Sequence, residues 1–458
     1  MTHPTVVINV VGLSGSLIGA ATANINRLIA RGSVRRLIPV LPAVTCSVQS
    51  SMLTGLRPNQ HGIVGNGWYN RELNEVHFWK QSNGLVHGEK VWETARRRDP
   101  SVTCANMFWW FNMYGTVDYS VTPRPIYKAD GRKIPDIYSH PPQLRPMLQD
   151  TLGRFPLFNF WGPASSINSS QWIAEASMLV HDRYRPTLML IYLPHLDYGL
   201  QKLGPVHPKI PDEVRAIDRV VGRLIDYFDS KGVRIVLLSE YGIEPVDDSV
   251  HINRSLREAG AVAVREEQGL ELLDPGASDA FAVADHQVAH VYVKDPSQAA
   301  RYAQLCRHVP GVGRVLEREE RAASGLDHER SGDLLLVAKP GRWFSYDYWL
   351  DERKAPDFAR TVDIHRKPGY DPAELFIDPK LRFATLSIGW RLLKMRLGFR
   401  TVMDVIPLDT SLVRGSHGRV DIDEGLRPVL ITEHATGDAN ELPCTNVRDV
   451  ILAHLFEG

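Results

Sequence analysis

Polar side chains that could do chemistry follow apolar segments at three places in the chain. Thr45 follows one segment, His195 and Asp197 follow a second, and Glu240 follows a third. If these segments are strands of one sheet, a hydroxyl, an imidazole and two carboxylates meet at a single rim, as a hydrolytic or metal-binding site requires. The alternative is that strand ends are polar only because they meet solvent.

Thr45 lies at a predicted junction between a strand and a helix. An apolar stretch ends at Pro42, residues 47–54 have a polar-faced helical pattern, and Gly55 is placed to end that helix. Such a junction exposes a hydroxyl beside backbone N–H groups and the positive end of a helix dipole, so Thr45 could attack or hold a phosphoryl group. The other interpretation is that Thr45 is only a helix N-cap.

The segments that lead to these residues alternate with helical patterns. Residues 211–230 form the clearest helix, with an apolar face that includes Val214, Ile217 and Leu224. The alternation predicts an α/β fold with a doubly wound, mostly parallel sheet covered by helices, and its site is expected beyond the carboxyl ends of the strands. Five apolar runs are predicted as buried strands: residues 6–11, 37–41, 102–107, 188–193 and 233–238.

Length, charge and cysteine content restrict the class of protein. The 458 residues, 43% of them hydrophobic, can form one elaborated domain or two. The 53 basic and 53 acidic residues balance, which gives no reason to expect a nucleic-acid polymer or a membrane as partner. The four cysteines form no CxxC pair, and the first residues lack the pattern of a signal peptide. These features predict a soluble cytoplasmic protein and leave its oligomeric state open.

Four motifs carry a resemblance to a known family. The stretch PAVTCSVQSSMLTGLRPNQHGIVGN, residues 42–66, resembles the nucleophile region of the alkaline phosphatase superfamily in its nucleotide pyrophosphatase/phosphodiesterase branch. The resemblance implies that Thr45 is the nucleophile, that Asn66 donates to the phosphoryl oxygens, and that Asp197, Glu240 and His417 occupy metal-ligand positions. The other three motifs, in the expected order, are DYGLQKLGP at 197–205, LSEYG at 238–242 and RGSHG at 414–418.

The chain also departs from the metal site that this resemblance implies. The family holds two zinc-type ions side by side with three aspartates, three histidines and the nucleophile. Here Val11 stands in place of the first-strand aspartate, Gln201 in place of a histidine, and Glu240-Tyr241 in place of an Asp-His pair. Fewer than two tightly bound ions are therefore expected, because each would lack its usual ligands.

Three interpretations of this altered site remain open. One divalent ion (Zn, Mg, Mn or Ca) could be bound by Asp197 and His417 with Glu240 or Gln201. Alternatively, the site works without metal, and His417 or Glu240 activates Thr45. The third interpretation is an inactive relative that binds a phosphorylated small molecule. The expected function is hydrolysis of a small-molecule phosphate ester by a phosphodiesterase-like enzyme, with a phosphonate or sulfate ester hydrolase as a further alternative.

Other residues could add groups to the site. Asp285 and His286 lie at the start of a strand-like segment, where a turn could aim them at the pocket, and Tyr241 belongs to the same extended set. Asp363 and His365 lie in a Pro-Gly turn that is either a surface loop or a cover over an anionic substrate.

Substrate binding is assigned to an aromatic stretch that follows a predicted strand. Trp109, Trp110 and Tyr114 lie in this stretch, and the resemblance places the leaving-group pocket there. Aromatic faces of this kind can stack on a nucleotide base, although the same side chains could simply be core.

A change in pattern divides the chain. Residues 319–410 are loop-rich and aromatic, and are expected to form a cap inserted on the active-site face. Residues 1–318 and 411–458 then form the alkaline phosphatase-like core.

Overall fold

A nine-stranded mixed sheet and a smaller four-stranded antiparallel sheet organise the protein. The computed structural model describes residues 2–130, 132–433 and 440–457. Residues 1, 131, 434–439 and 458, which belong to the predicted core ranges, lie outside the described residues.

The strands are numbered in chain order. They are β1 (Thr5–Val10), β2 (Ser33–Ile38), β3 (Gly67–Asn70), β4 (Glu75–Phe78), β5 (Cys104–Met107), β6 (Tyr119–Pro123), β7 (Ile126–Tyr127), β8 (Lys133–Ile134), β9 (Ile137–His140), β10 (Leu188–Leu193), β11 (Arg234–Leu238), β12 (Glu244–Pro245), β13 (Asp248–Val250), β14 (Val264–Glu267), β15 (Leu270–Leu273), β16 (Ala280–Asp285), β17 (Val288–Val293), β18 (Val312–Leu316), β19 (Leu334–Ala338), β20 (Arg342–Phe344), β21 (Gly415–Ser416), β22 (Val429–Thr432) and β23 (Glu441–Pro443).

The α-helices are numbered in the same way. They are α1 (Ala23–Ala30), α2 (Thr45–Thr54), α3 (Pro58–His61), α4 (Val91–Arg98), α5 (Leu144–Leu152), α6 (Leu157–Phe160), α7 (Ile167–Tyr184), α8 (His195–Leu203), α9 (Ile210–Ser230), α10 (Ile252–Glu258), α11 (Ala299–His308), α12 (Arg318–Ala323), α13 (Ala384–Arg396) and α14 (Val447–Phe456).

The large sheet has a parallel centre and mixed edges. Its order is β23-β2-β22-β11-β1-β10-β5-β6-β9, and the five strands from β11 to β6 run parallel. Strand β22 runs antiparallel to both of its neighbours, and β9 is antiparallel to β6. All six residues of β1 are buried, because helices cover both faces of a parallel sheet and its central strands are mainly apolar. The predicted α/β class with a mostly parallel sheet is confirmed.

Two predicted elements have different bounds. The strand predicted at 37–41 lies at Ser33–Ile38, because Pro39 has no N–H to continue the ladder. The helix predicted from Ser47 begins at Thr45, and Val44 is its extended N-cap. Thr45 is therefore the first helical residue, and the interpretation of Thr45 as an N-cap is wrong.

Helix α2 is buried on all sides, although its sequence is rich in Ser, Thr and Gln. Some of its hydroxyls have partners inside the protein: Ser51 bonds the His61 ring at 2.9 Å, and Thr54 donates to the Ser50 carbonyl. Gly55 ends the helix with φ +73°, a conformation that favours glycine. The nucleophile candidate thus begins a helix with little freedom to move.

The smaller sheet has the order β16-β17-β19-β18 and its own apolar core. Strands β18 and β19 are paired across the boundary predicted between residues 318 and 319, so the sheet continues on both sides of it. The role of residues 319–410 as a cap stays a prediction. Within the described ranges, none of the helices is long and apolar enough to cross a bilayer.

Candidate active site

Three elements bring the central side chains together at the carboxyl edge of the large sheet. Thr45 begins α2 beyond β2, Asp197 lies in the first turn of α8 beyond β10, and Tyr241 follows β11. The edge is shared because β2, β10 and β11 point in the same direction, with β22 as the antiparallel strand between β2 and β11.

The hydroxyl of Tyr241 connects Thr45 to Asp197. It lies 3.2 Å from Thr45 Oγ1 and donates to Asp197 Oδ1, also at 3.2 Å. With its single proton directed to Asp197, the Tyr241 oxygen can accept a hydrogen bond from Thr45, which is also a hydrogen-bond neighbour of Glu240. Gln201 Nε2 donates to the other oxygen of Asp197 at 2.7 Å. The result is a directed chain of hydrogen bonds from the threonine hydroxyl to a carboxylate.

A column of four rings forms one side of the site. The ring of Tyr241 stacks on His417 with centroids 3.6 Å apart and planes 5° from parallel. His286 lies 3.8 Å beyond His417, and Tyr370 lies 4.5 Å beyond His286. Each ring is fixed by its neighbours, so the Tyr241 hydroxyl is held in place.

The RGSHG turn ties this column to the nucleophile loop. His417 Nδ1 donates to the Ala43 carbonyl at 2.8 Å, and Ala43 N donates to the Gly418 carbonyl at 2.9 Å. Gln287 N donates to the His417 carbonyl. Gly418 has φ +125°, and a Cβ there would lie 2.8 Å from a Val288 methyl, so the turn requires glycine.

His417 is held in its neutral form. Burial lowers the pKa of the imidazole well below its ordinary value, and the neighbouring His286 adds to the effect, against the hydrogen bond to Ala43. Since Nδ1 carries the proton, Nε2 has a lone pair and lies 3.9 Å from Asp197 Oδ1. A base with so low a pKa is a weak acceptor for the Thr45 proton.

Asp197 is better suited as the final acceptor. Burial raises the pKa of this carboxyl, while His286 and the hydrogen bonds from Gln201 and Tyr241 oppose the rise. A carboxylate with a raised pKa is a stronger base, which suits the removal of a hydroxyl proton.

Glu240 lies in a closed environment behind Thr45. The Asn9 amide donates to Oε1 at 2.6 Å, and Gln49 of α2 donates to the same oxygen. Gln49 in turn accepts from Trp110 N at 2.6 Å. Burial raises the pKa of Glu240 to about 8, with the charge of Asp197 adding to the rise and the two amide bonds opposing it. The side chain is therefore mainly protonated at neutral pH.

Asn66 belongs to a second hydrogen-bond network, beneath the start of α2. Its Oδ1 accepts from Cys46 N at 3.0 Å, and its backbone and side-chain N–H groups both donate to Asp285. Asp285 also bonds His286 Nδ1 at 2.8 Å. The predicted pair Asp285 and His286 is thus at the site, where it positions the ring column and the first turn of α2.

An open pocket begins at Thr45 and has mostly aromatic walls. Trp79 lies at its centre, in edge contact with Trp110, Trp161 and Tyr370. The indole N–H groups of Trp110 and Trp161 are bonded to Lys80 O and Glu374, which orients the rings. None of the described residues that line this pocket is Lys or Arg.

Four predicted residues lie elsewhere. Trp109 is fully buried in the main core, and Tyr114 is 72% exposed and packs on Tyr138. Asp363 lies 3.6 Å from Lys133, and His365 is on the surface beside Phe78 O. Of the three aromatic residues predicted to bind substrate, Trp110 alone lines the pocket, because the loop after β5 turns the neighbouring rings in different directions.

The side chains present do not fit two adjacent metal ions. Val11 is completely buried among apolar residues, and Gln201 turns an amide donor toward Asp197. Tyr241 occupies the space between Thr45 and Asp197, and Glu240 is bonded to amides behind the site. Within the described ranges, no group of three or more His, Cys, Asp or Glu side chains is arranged to hold a metal ion. The metal-binding role of Asp197, Glu240 and His417 stays a prediction.

Sequence reasoning missed several residues of the site. Asn9 was visible as the single polar residue inside the apolar run of β1. Gln49 lay within the helical pattern of α2, and nothing marked its contact with Glu240. Trp79, Trp161 and Tyr370 come from loops far apart in the sequence, and the sequence carries no pattern that unites them.

Comparison with known proteins places the chain in context. The sequence profile of type I phosphodiesterase / nucleotide pyrophosphatase matches residues 5–371. A pyrophosphatase/phosphodiesterase of Schizosaccharomyces pombe, described as uncharacterized, is 26% identical over 253 residues, 52% of this chain and 42% of that protein. Ectonucleotide pyrophosphatase/phosphodiesterase family member 1 of Mus musculus is 25% identical over 242 residues, 50% of this chain and 22% of that protein. The match covers less than half the length of either relative.

Solved structures share the fold at low sequence identity. Phosphonoacetate hydrolase from Sinorhizobium meliloti, in complex with phosphonoacetate, has a TM-score of 0.64 at 17% identity, over 99% of this chain and 96% of that one. An inactive variant of murine ectonucleotide pyrophosphatase/phosphodiesterase 5, in complex with AMP, has a TM-score of 0.58 at 13% identity, over 99% and 94%.

The raised pKa of Glu240 makes stability depend on pH. In the unfolded chain the carboxyl loses its proton near its ordinary value of 4.5, whereas the folded protein keeps it up to about pH 8. The folded state therefore loses stability as pH rises through this interval, by up to about 5 kcal/mol. We expect Glu240→Gln, which does not titrate, to flatten that decline in urea unfolding measured at pH 5, 6.5 and 8.

The matched control is Glu72→Gln, an exposed position. Its stability should follow the wild-type pH dependence throughout. If Glu240→Gln and wild type decline in parallel, Glu240 is ionised in the folded protein at neutral pH.

Proposed function

The chain belongs to the type I phosphodiesterase / nucleotide pyrophosphatase family, and on this premise we propose that it hydrolyses phosphate diesters with Thr45 as nucleophile. The observation that carries the proposal is the hydrogen-bonded chain from Thr45 through Tyr241 to Asp197, at the entrance of an aromatic pocket.

The proposed reaction uses this chain as a path for the proton. Thr45 Oγ1 attacks phosphorus and passes its proton to the Tyr241 oxygen, while the Tyr241 proton moves to Asp197 Oδ1. The new bond between Thr45 and phosphorus replaces one ester bond, whose oxygen leaves as an alcohol after taking a proton from water. The hydroxide left from that water then attacks the phosphothreonine ester, and the Thr45 oxygen leaves phosphorus and regains its proton from Asp197 through Tyr241. The N-terminal end of α2 faces the charge that develops on the phosphoryl oxygens.

The electrostatics of the site favour a substrate of low charge. Burial disfavours the ionised forms of Asp197, Glu240 and His417 alike, and no cationic side chain is among the described residues of the lining. A diester carries one negative charge, whereas a monoester carries up to two and would be desolvated at greater cost. The pocket therefore supports a diester over a monoester.

The aromatic walls support a flat leaving group. Trp79, Trp110 and Trp161 present ring surfaces to the pocket while their contacts with one another keep them rigid. Stacking on such surfaces stabilises a bound base by about 1 to 3 kcal/mol. A nucleotide diester is the substrate class that combines a flat group with a phosphate ester of one negative charge.

A second candidate function is binding without turnover. The replacement of metal-ligand positions by Val11, Gln201 and Tyr241 favours it, because these residues remove the family's means of activating the nucleophile. The pocket would then hold a phosphorylated small molecule on the same ring surfaces.

A reducing, cytoplasmic location is part of the proposal. The four cysteines are all buried and unpaired with one another. Unpaired thiols of this kind are typical of proteins that do not pass through an oxidising compartment.

Replacement of the nucleophile tests the reaction itself. We expect Thr45→Ala to lower hydrolysis of bis-p-nitrophenyl phosphate by about 10³-fold or more, because the substitution removes the attacking oxygen. Thr45→Ser should keep a measurable part of the rate. A panel of nucleotide diesters, a phosphonate and a sulfate ester defines the substrate class.

If wild type and Thr45→Ala are equally inert on the whole panel and both still bind a nucleotide by calorimetry, the binding function replaces the hydrolytic one.

Replacement of the relay tests the proton path. We expect Tyr241→Phe to lower kcat by about 10²-fold with little change in KM, because the ring and its stack remain while the hydroxyl is lost. The matched control is Tyr198→Phe, which removes a hydroxyl of the same pocket that is bonded to Phe160 O. Equal effects of the two substitutions on kcat would contradict the relay.

Metal content tests the altered site. We expect elemental analysis of the purified wild type to show fewer than two bound metal ions, because the side chains do not provide two ligand sets. Restoring the family residues with Val11→Asp, Gln201→His, Glu240→Asp and Tyr241→His should increase zinc binding. Two stoichiometric zinc ions in the wild type would contradict the assignment of Tyr241 to the relay.

A further inference from the structure

Helix α13 and the turns around it present an apolar surface that none of the described residues covers. All 13 residues of α13 are at least partly exposed. Leu386, Trp390, Leu393 and Leu397 recur at spacings of four and three, so they form a stripe along one side, and each is 45% exposed or more. Phe383, Phe399 and Val402 extend the stripe beyond both ends of the helix; these too are exposed.

The helix is anchored by its opposite side. Ile388 and Met395 lie on that side and are half-buried, and Arg391 forms an ion pair with Asp404 at 2.7 Å. A helix of this length is marginally stable in water by itself and depends on burial of its apolar side. Because the apolar stripe of α13 is exposed, a partner that buried it would stabilise the helix.

Basic residues surround the stripe. Residues 379–403 contain six Lys or Arg side chains and no Asp or Glu, although the whole chain has no net charge. Successive residues of an α-helix are about 100° apart around its axis, so Lys394 lies on one flank of the stripe and Arg396 on the other. Among the described residues, no ion pair involves Lys380, Arg382, Lys394, Arg396 or Arg400.

A second exposed segment adjoins this surface. Arg400 Nη2 contacts the carbonyl of Ala129 at 3.5 Å, in the hairpin of β7 and β8. Ile126 and Tyr127 of that hairpin are also exposed, with Lys128 beside them. The apolar and basic character therefore continues from α13 onto a separate part of the chain.

We propose that this surface docks on a bilayer that contains anionic phospholipid. Large apolar side chains with Lys and Arg on their flanks match the boundary between headgroups and acyl chains, where Trp and Phe are favoured. The positive charge of the surface favours an anionic bilayer over a second copy of the chain as its partner. Two such segments would bring twelve cations together without any acidic partner in the segment, whereas an anionic surface complements them.

The segment that carries α13 starts close to the pocket in the sequence. Leu375 lines the pocket, and the segment is closed at its base by the bond from Asp378 N to Val405 O, 2.8 Å. The expectation of no membrane partner rested on net charge alone, which does not describe how the charges are distributed.

Vesicle sedimentation of the full chain tests the proposal. We expect wild type to sediment with phosphatidylcholine vesicles that contain about 30% phosphatidylglycerol, less with pure phosphatidylcholine, and less at about 0.5 M salt. Lys394→Gln with Arg396→Gln should lower the partition coefficient roughly 30-fold, at about one factor of five per cation. Trp390→Ser with Leu393→Ser should lower it at least about tenfold.

The matched control is Leu73→Ser with Val206→Ser, two exposed apolar residues outside this surface. It should bind vesicles like wild type. Circular dichroism and the thermal midpoint verify that each variant is folded. If Trp390→Ser with Leu393→Ser does not fold, Lys394→Gln with Arg396→Gln alone decides the test. The proposal is overturned if wild type does not bind the anionic vesicles, or if the α13 variants bind like wild type. It is also overturned if light scattering shows a dimer that Trp390→Ser with Leu393→Ser converts to monomer.

Discussion

The contact between the Tyr241 ring and His417 is the constraint on which the rest of the site depends. Two rings 3.6 Å apart and nearly parallel fix the position of the Tyr241 hydroxyl, and a buried hydroxyl requires partners. Those partners are Thr45 and Asp197, at the ends of two other elements. The stack and these hydrogen bonds thus connect the residues that follow β2, β10 and β11 with the RGSHG turn.

The same burial that orders the site also keeps its charge low. Asp197 and Glu240 have raised pKa values and His417 has a lowered one, because ionised forms are costly away from water. Amide groups rather than cations bond these carboxyls: Gln201 donates to Asp197 Oδ2, and Asn9 and Gln49 donate to Glu240 Oε1. A site of this kind relies on oriented hydrogen bonds and a helix terminus for its chemistry, as the proposed proton path requires.

The sequence predicted those features of the fold and the site that depend on a single strand or helix. The continuous apolar runs predicted β1 and β10, and the rule of strand ends predicted that Thr45, Asp197 and Glu240 would lie at one edge. It was less informative where several loops meet. Trp109 and Trp110 are neighbours in the chain, yet one lies in the core and the other lines the pocket, because a turn after β5 decides their directions.

The boundary predicted at residue 318 shows the same limit. It followed a change in composition, whereas the pairing of β18 with β19 depends on hydrogen bonds between segments that composition does not describe.

A crystal structure of the wild type grown with excess zinc, with anomalous scattering measured at the zinc edge, distinguishes the Tyr241 relay from metal activation of Thr45. We expect the Tyr241 hydroxyl to contact both Thr45 Oγ1 and Asp197, and no anomalous peak to lie among Thr45, Asp197 and His417. Two zinc peaks at this position, with the Tyr241 ring displaced from His417, would contradict the relay.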